Sequence, residues 1–218
     1  MIKLVNFLLL IEKAPKYSKI EIDQGKNPKE NYQLCSCIRE TFCLSYNIRK
    51  NNNLYLYFLK DHIFIKFEGK SLRYLSSDER SQALLLLKAL NKAKQHLELI
   101  DTEWIKSTPG IFVRYFSNDI TFFQSLQSIL QGFSILISDN QEDYYDLVNL
   151  LTSNSKILNS LEDLSFIIPN FPISRKNPKF LTLIKSINKI QKVSLPNIKK
   201  IEDKILLINY RIDQLKNN

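Results

Sequence analysis

Arg73, Tyr74, Asp78, Glu79 and Arg80 fall within eight residues of one another, in the stretch 65–81, IKFEGKSLRYLSSDERS. A short alternating apolar run (Phe64, Ile65, Phe67) leads into it, the chain turns at Gly69, and a Leu- and Ala-rich helical pattern follows. So dense a set of ionisable groups exceeds what a plain connector needs. Two readings stand. In one the stretch is a solvated loop whose Ser77-Asp78 caps the next helix. In the other it belongs to a functional site.

The charge layout favours a polyanion. The chain carries 31 basic and 22 acidic residues in 218, a net charge of +9. Residues 1–116 hold +7, residues 117–163 hold −6, and residues 170–218 hold +8. Basic segments flanking an acidic middle attract phosphates at range and gain from counterion release. Cys35, Cys37 and Cys43 form an odd set with no second Cys or His pair nearby, which is poor zinc chemistry, so no metal is expected and the thiols are expected reduced. His62 and His96 fall in no candidate site and are expected at the surface. The apolar run 7–11 is too short to span a bilayer and has no cleavage site after it, so it reads as a buried strand in a cytoplasmic protein without a membrane segment.

The elements that must position these groups alternate. Strand-like runs occur at 6–11, 54–58, 63–67, 111–113, 133–137, 164–168 and 205–209, with helical patterns at 33–45, 78–97, 117–131, 144–151 and 178–190. A turn is expected over 200–203, a mobile polar loop over 24–31 and an acidic turn over 138–143. The alternation predicts an α/β fold, a mostly parallel sheet with helices on both faces. Length allows one substantial core, and no linker or repeat divides it, so 1–218 is read as a single domain. The chain has only 4 glycines, where average usage would be about 7%. Each tight turn must therefore be made from few residues able to take positive φ.

The stretch 65–81 resembles the signature of the archaeal tRNA pseudouridine-54 N1-methyltransferase family, of the SPOUT class, which reads roughly I-R-F-E-G-x-x-L-R-Y-L-x-P-D-E-R-S. Four further blocks follow that family in order: FLLLIEKAP at 7–15, CSCIRETFCLSYNIRK at 35–50, STPGIFV at 107–113 and VSL at 193–195. The resemblance implies a C-terminal trefoil knot over roughly 133–218, a bent S-adenosylmethionine in the cleft it forms, and a dimer whose clefts face the partner. That dimer is expected to be a homodimer, or a heterodimer with an active paralogue. The implied activity is methylation of N1 of pseudouridine 54 in the T-arm of tRNA. The alternative is a catalytically degenerate relative that binds RNA or pairs with an active subunit.

The resemblance also places the site. Phosphate grip falls to Arg49, Lys50, Arg73, Arg80 and Arg114. Arg80 could equally pair with Glu79 or Asp78 and close the helix start. Where the family has Gly-Arg-Met-Asp near the target base, this chain has Lys29-Glu30-Asn31-Tyr32, so the catalytic positions are Glu30 and Tyr32. Tyr32 can donate a hydrogen bond or stack, but is a poor base near neutral pH. Tyr46 and Asn51 stand where relatives often have His and Asp. The cofactor positions are Ile137, Pro169, Leu195, Pro196, Asn197, Ile198, Lys199, Lys200 and Ile205. Two prolines, Pro169 and Pro196, replace family glycines, while Asp203 matches. Lys199 and Lys200 would oppose a cationic sulfonium unless they turn to solvent or RNA.

Overall fold

The computed structural model describes residues 4–95, 103–130, 132–138, 147, 150, 163–171, 190–195 and 197–217. Eight strands form one sheet: β1 (Val5–Ile11), β2 (Asn52–Phe58), β3 (Ile63–Glu68), β4 (Ile105–Thr108), β5 (Ile111–Tyr115), β6 (Phe133–Ser138), β7 (Leu164–Pro169) and β8 (Ile190–Ser194). Their order is β4-β5-β3-β2-β1-β7-β6-β8. The five strands from β2 to β8 are mutually parallel, and β3, β5 and β4 extend that sheet with antiparallel pairings. The fold is thus α/β with a mostly parallel sheet, as expected.

All seven residues of β1 are buried, as befits a central parallel strand covered on both faces. Phe7, Leu9 and Ile11 join the larger core beneath the helices α2 (Lys29–Phe42), α3 (Glu79–Gln95) and α5 (Ile201–Asn217). Leu8 and Leu10 point the other way, into an aromatic core with Tyr57, Phe64, Phe116 and, from α4 (Asp119–Ile129), Phe122 and Phe123. Helices therefore cover both faces. Three of the expected boundaries change. The run 205–209 is not a strand, nor is 201–203 part of a turn: both belong to α5, whose Ile201, Ile205, Ile208 and Ile212 form one buried stripe at helical spacing. Residues 29–31 of the expected loop are the first turn of α2, and a short α1 (Lys19–Asp23) precedes it. Ile190 opens β8 rather than closing a helix. The rest of the helix expected over 178–190 lies outside the described residues, as do most of those expected over 144–151 and the acidic turn after Ser138.

Local chemistry explains the helix starts. Ser18 and Glu21 form a reciprocal capping box on α1. Asn118 accepts from the Thr121 amide at 3.0 Å to cap α4. Asp78 accepts from the Ser81 amide at 2.7 Å, so the expected cap of α3 is present. The hydroxyl of Ser76 and the Ser81 amide hold the Asp78 carboxyl below its usual range. All three cysteines are free. Burial pushes the Cys35 thiol up to about 12 and raises Cys37 further from reactivity.

Glu68 closes β3. Burial raises its pKa, but hydrogen bonds from Lys66 Nζ (2.6 Å) and Ser71 Oγ (2.5 Å) outweigh this and hold the carboxyl below its ordinary value. A depressed folded pKa means stability that is present above the unfolded pKa and lost as pH falls through the folded one. The stability difference between the native protein and Glu68→Gln should be constant above about pH 5 and shrink below about pH 4. Urea melts across that range measure it.

Candidate cofactor cleft and nucleic-acid surface

Among the described strands, one ladder breaks early. The β6–β7 ladder ends at Leu136–Ile167, although both strands run two residues further. Beyond that point β6 stays with β8, pairing Ile137 with Val193 and Ser138 with Ser194, and β7 stays with β1 through Leu10–Pro169. The ladder between these two adjacent parallel strands thus stops short of their carboxyl ends, and the carboxyl ends of strands are where open α/β sheets take ligands. Pro169 contributes to the break. Asn170 donates its amide to Leu10 O on the β1 side at 2.8 Å. Backbone N–H groups alternate along a strand, so the donor Pro169 lacks falls on the β6 side.

Residues far apart in sequence meet here. Ile137 and Pro169 are buried at the ends of β6 and β7, and Leu195 follows β8 with its amide donating to Ser138 O at 3.1 Å. Ile198 folds back to Leu195 O at 3.1 Å, and Asn197, Lys199 and Lys200 are exposed on the short loop into α5. Both lysine side chains thus lie in solvent rather than being buried against the cleft. Ser194 Oγ is buried and has no hydrogen-bond partner among the described residues. A hydroxyl left in that state at the mouth of a cleft suits a polar ligand atom. Ile205, on α5, is fully buried and belongs to the same core cluster as Ile137 and Leu195. Pro196 lies outside the described residues.

Glu30 and Tyr32 are brought to the same end. Asn52 at the start of β2 donates to Thr41 O in the last turn of α2, so the first turn of α2 lies at the carboxyl end of the parallel strands. Both side chains are exposed, Tyr32 by 52%, while Asn31 between them is fully buried and donates to Asn27 Oδ1 at 2.5 Å. Asn27 in turn donates to Glu79. This junction of α2 and α3 is a polar network that the sequence did not announce. Far from being a loose loop, residues 27–31 are anchored.

The five basic positions divide. Lys50 Nζ approaches Leu72 O at 3.5 Å beside the exposed Arg73, at the amino end of the sheet. Arg49 is close by, but its guanidinium is bound bidentately to Asp213 of α5 at 2.8 and 2.6 Å. Arg80 pairs with Asp23 of α1 at 2.6 Å, neither with Glu79 nor with Asp78. Arg114 lies 4.7 Å over the Phe116 ring, near the carboxyl end.

Comparison with known proteins places the chain in a family. A family described as "Putative SAM-dependent RNA methyltransferase" matches residues 4–215. The chain belongs to this family. Among its relatives, the tRNA (pseudouridine(54)-N(1))-methyltransferase of Methanocaldococcus jannaschii is 30% identical over 158 residues, 70% of each chain. The enzyme of that name in Haloferax volcanii is 40% identical over 81 residues, covering 37% of this chain and 39% of its own length. That of Methanosarcina acetivorans is 39% identical over 84 residues, 37% of each chain. Among the described residues, no helix of this RNA methyltransferase-family chain is long and apolar enough to cross a membrane, and no group of three metal-ligating side chains forms.

One further cluster in this family member escaped the sequence reading. Tyr57 OH donates to Asp119 Oδ1 at 2.7 Å and lies 3.2 Å from His62 Nδ1, at the carboxyl end of β2. His62 is half-buried at φ 53°, not a plain surface residue. No local spacing could have joined positions 57, 62 and 119.

Proposed function

We propose that this protein is an S-adenosylmethionine-dependent tRNA methyltransferase acting on N1 of pseudouridine 54. The observation that carries the reading is the break in the β6–β7 ladder before Pro169, at the sheet end where Ile137, Leu195 and the unpartnered Ser194 hydroxyl also lie. Ile137 and Leu195 would pack against the apolar parts of the cofactor. Ser194 and the loop 197–200 would supply hydrogen bonds, largely through backbone. When bound, S-adenosylmethionine supplies an electrophilic methyl group. Glu30, exposed on the first turn of α2, is the group assigned to take up the N1 proton, directly or through water. Tyr32 donates to or stacks on the target base. Exposed Lys199 and Lys200 meet phosphate, which offsets the charge they place near the cleft.

The same reading makes residues 1–218 a single SPOUT-type unit, with the tail threaded as a trefoil knot, acting as a cytoplasmic homodimer. Family membership over nearly the whole chain and the single sheet that holds the eight described strands support the single unit.

The test uses tritiated methyl donor with a tRNA transcript carrying pseudouridine at position 54, against the same transcript with uridine. Transfer to the first and none to the second is the expected result. No transfer to either would sink the proposal. In parallel, Ser194→Ala should weaken S-adenosylmethionine binding about tenfold. It should leave the melting temperature of the ligand-free protein unchanged or slightly higher, because the hydroxyl has no partner to lose.

A further inference from the structure

At the amino end of the sheet, opposite the cleft, two loops meet around a cavity of about 340 Å3. One is the turn 43–48, closed by a bridge between Cys43 and Ile48 and by the Leu44 amide donating to Asn47 O at 2.9 Å. The other is the signature loop, which contributes Leu75 and Ser77 and touches Cys43 Sγ through Ser76 O at 3.9 Å. Tyr46 stands at the tip of the first loop, 103% exposed. Tyr74 stands on the second, 78% exposed, with φ at 63°.

That backbone conformation costs a bulky residue free energy. Folding recovers little of it from a ring left in water. Single exposed aromatics need no explanation. Two of them on tied loops, one strained, beside a cavity, do. The charges point the same way. Lys50 and Arg73 border the surface with exposed side chains. The nearby carboxylates are engaged: Asp213 by Arg49, and Asp78 by Ser76 and Ser81.

We infer that this surface docks an unstacked nucleotide of the RNA substrate, its base against Tyr46 and Tyr74 and its phosphates on Lys50 and Arg73. Aromatic rings flanked by cations are the chemistry that holds splayed bases and their backbone. The inference rests on the RNA methyltransferase reading and deepens it. The surface lies at the far end of α2 from Glu30 and Tyr32, about 20 Å away by the length of that helix, so it grips a part of the tRNA other than the methylated base. It thereby selects folded tRNA over an isolated stem.

Fluorescence anisotropy with a full tRNA transcript tests it. Tyr46→Ala should weaken binding about tenfold with the salt slope unchanged, and Tyr46→Phe should bind as the native protein does. Lys50→Ala with Arg73→Ala should lower the slope of log affinity against log salt by about 2. Because the Tyr46 ring is fully exposed, melting temperatures should not move and a folding defect is excluded. Native binding with an unaffected Tyr46→Ala overturns this inference alone. So does a change of oligomeric state in Tyr46→Ala, which would assign the surface to a second copy of the chain. No tRNA binding by the native protein overturns the function proposed above, and this inference with it.

Discussion

Replacing Gly110 with alanine should destabilise the protein by about 3 kcal/mol or more, a large part of a typical stability of about 5–15 kcal/mol. Gly110 follows Pro109 in the turn between β4 and β5 at φ +79°, which L side chains rarely adopt. A methyl group there would meet Leu72 N at 2.4 Å and Leu72 Cα at 2.5 Å. Those are backbone atoms that cannot yield: the Leu72 amide is bonded to Glu68 O at 2.9 Å, and Gly110 O accepts from the Glu68 amide at 2.8 Å. Gly25 is the control. It has a similar φ of +69° but nothing within 4 Å of an added Cβ. Gly25→Ala should cost only the conformational term, about 1 kcal/mol. Chemical denaturation of the two variants gives the contrast, and equal losses would show that the packing of the signature loop on this turn is misassigned.

The second large effect is at Asn209. Asn52 Nδ2 donates both to Thr41 O at 2.8 Å and to Asn209 Oδ1 at 3.0 Å, and Asn209 Nδ2 donates to Glu40 O at 2.8 Å. Both amides are buried. This chain of bonds holds α5 to α2 and to the start of β2. Asn209→Ala strands an N–H of Asn52 and the Glu40 carbonyl, at a cost of about 2–3 kcal/mol. Asn209→Asp should be no milder, since it sets a buried carboxylate against the Glu40 carbonyl. Urea midpoints that fall without a change in slope are the expected readout. A near-native midpoint for both variants would mean that α5 is held by its apolar stripe alone.

These two sites show what a linear reading reaches and where it stops. Continuous apolar runs such as 6–11, 54–58 and 164–168 announced buried strands, and the pattern over 117–131 announced α4, because both signals are local. The run ILLIN at 205–209 misled, since five apolar-rich residues suit a strand and a buried helix alike. The wider spacing Ile201, Ile205, Ile208, Ile212 carried the helical period. β8 went unseen because Gln191 and Lys192 break its apolar pattern. Arg49 read as a phosphate contact because its partner, Asp213, lies 164 residues away. The cleft positions came from family resemblance, and what no resemblance supplied was the break in the β6–β7 ladder, which exists only in the register of three strands.

A calorimetric titration of S-adenosylmethionine into the protein is the sharpest trial of that cleft. One site per chain, with micromolar affinity and a matching rise in melting temperature, is the outcome the geometry calls for. Absence of heat together with an unmoved melting temperature at millimolar ligand would mean that the space above Pro169 receives no adenosyl group, and the transferase reading would fall.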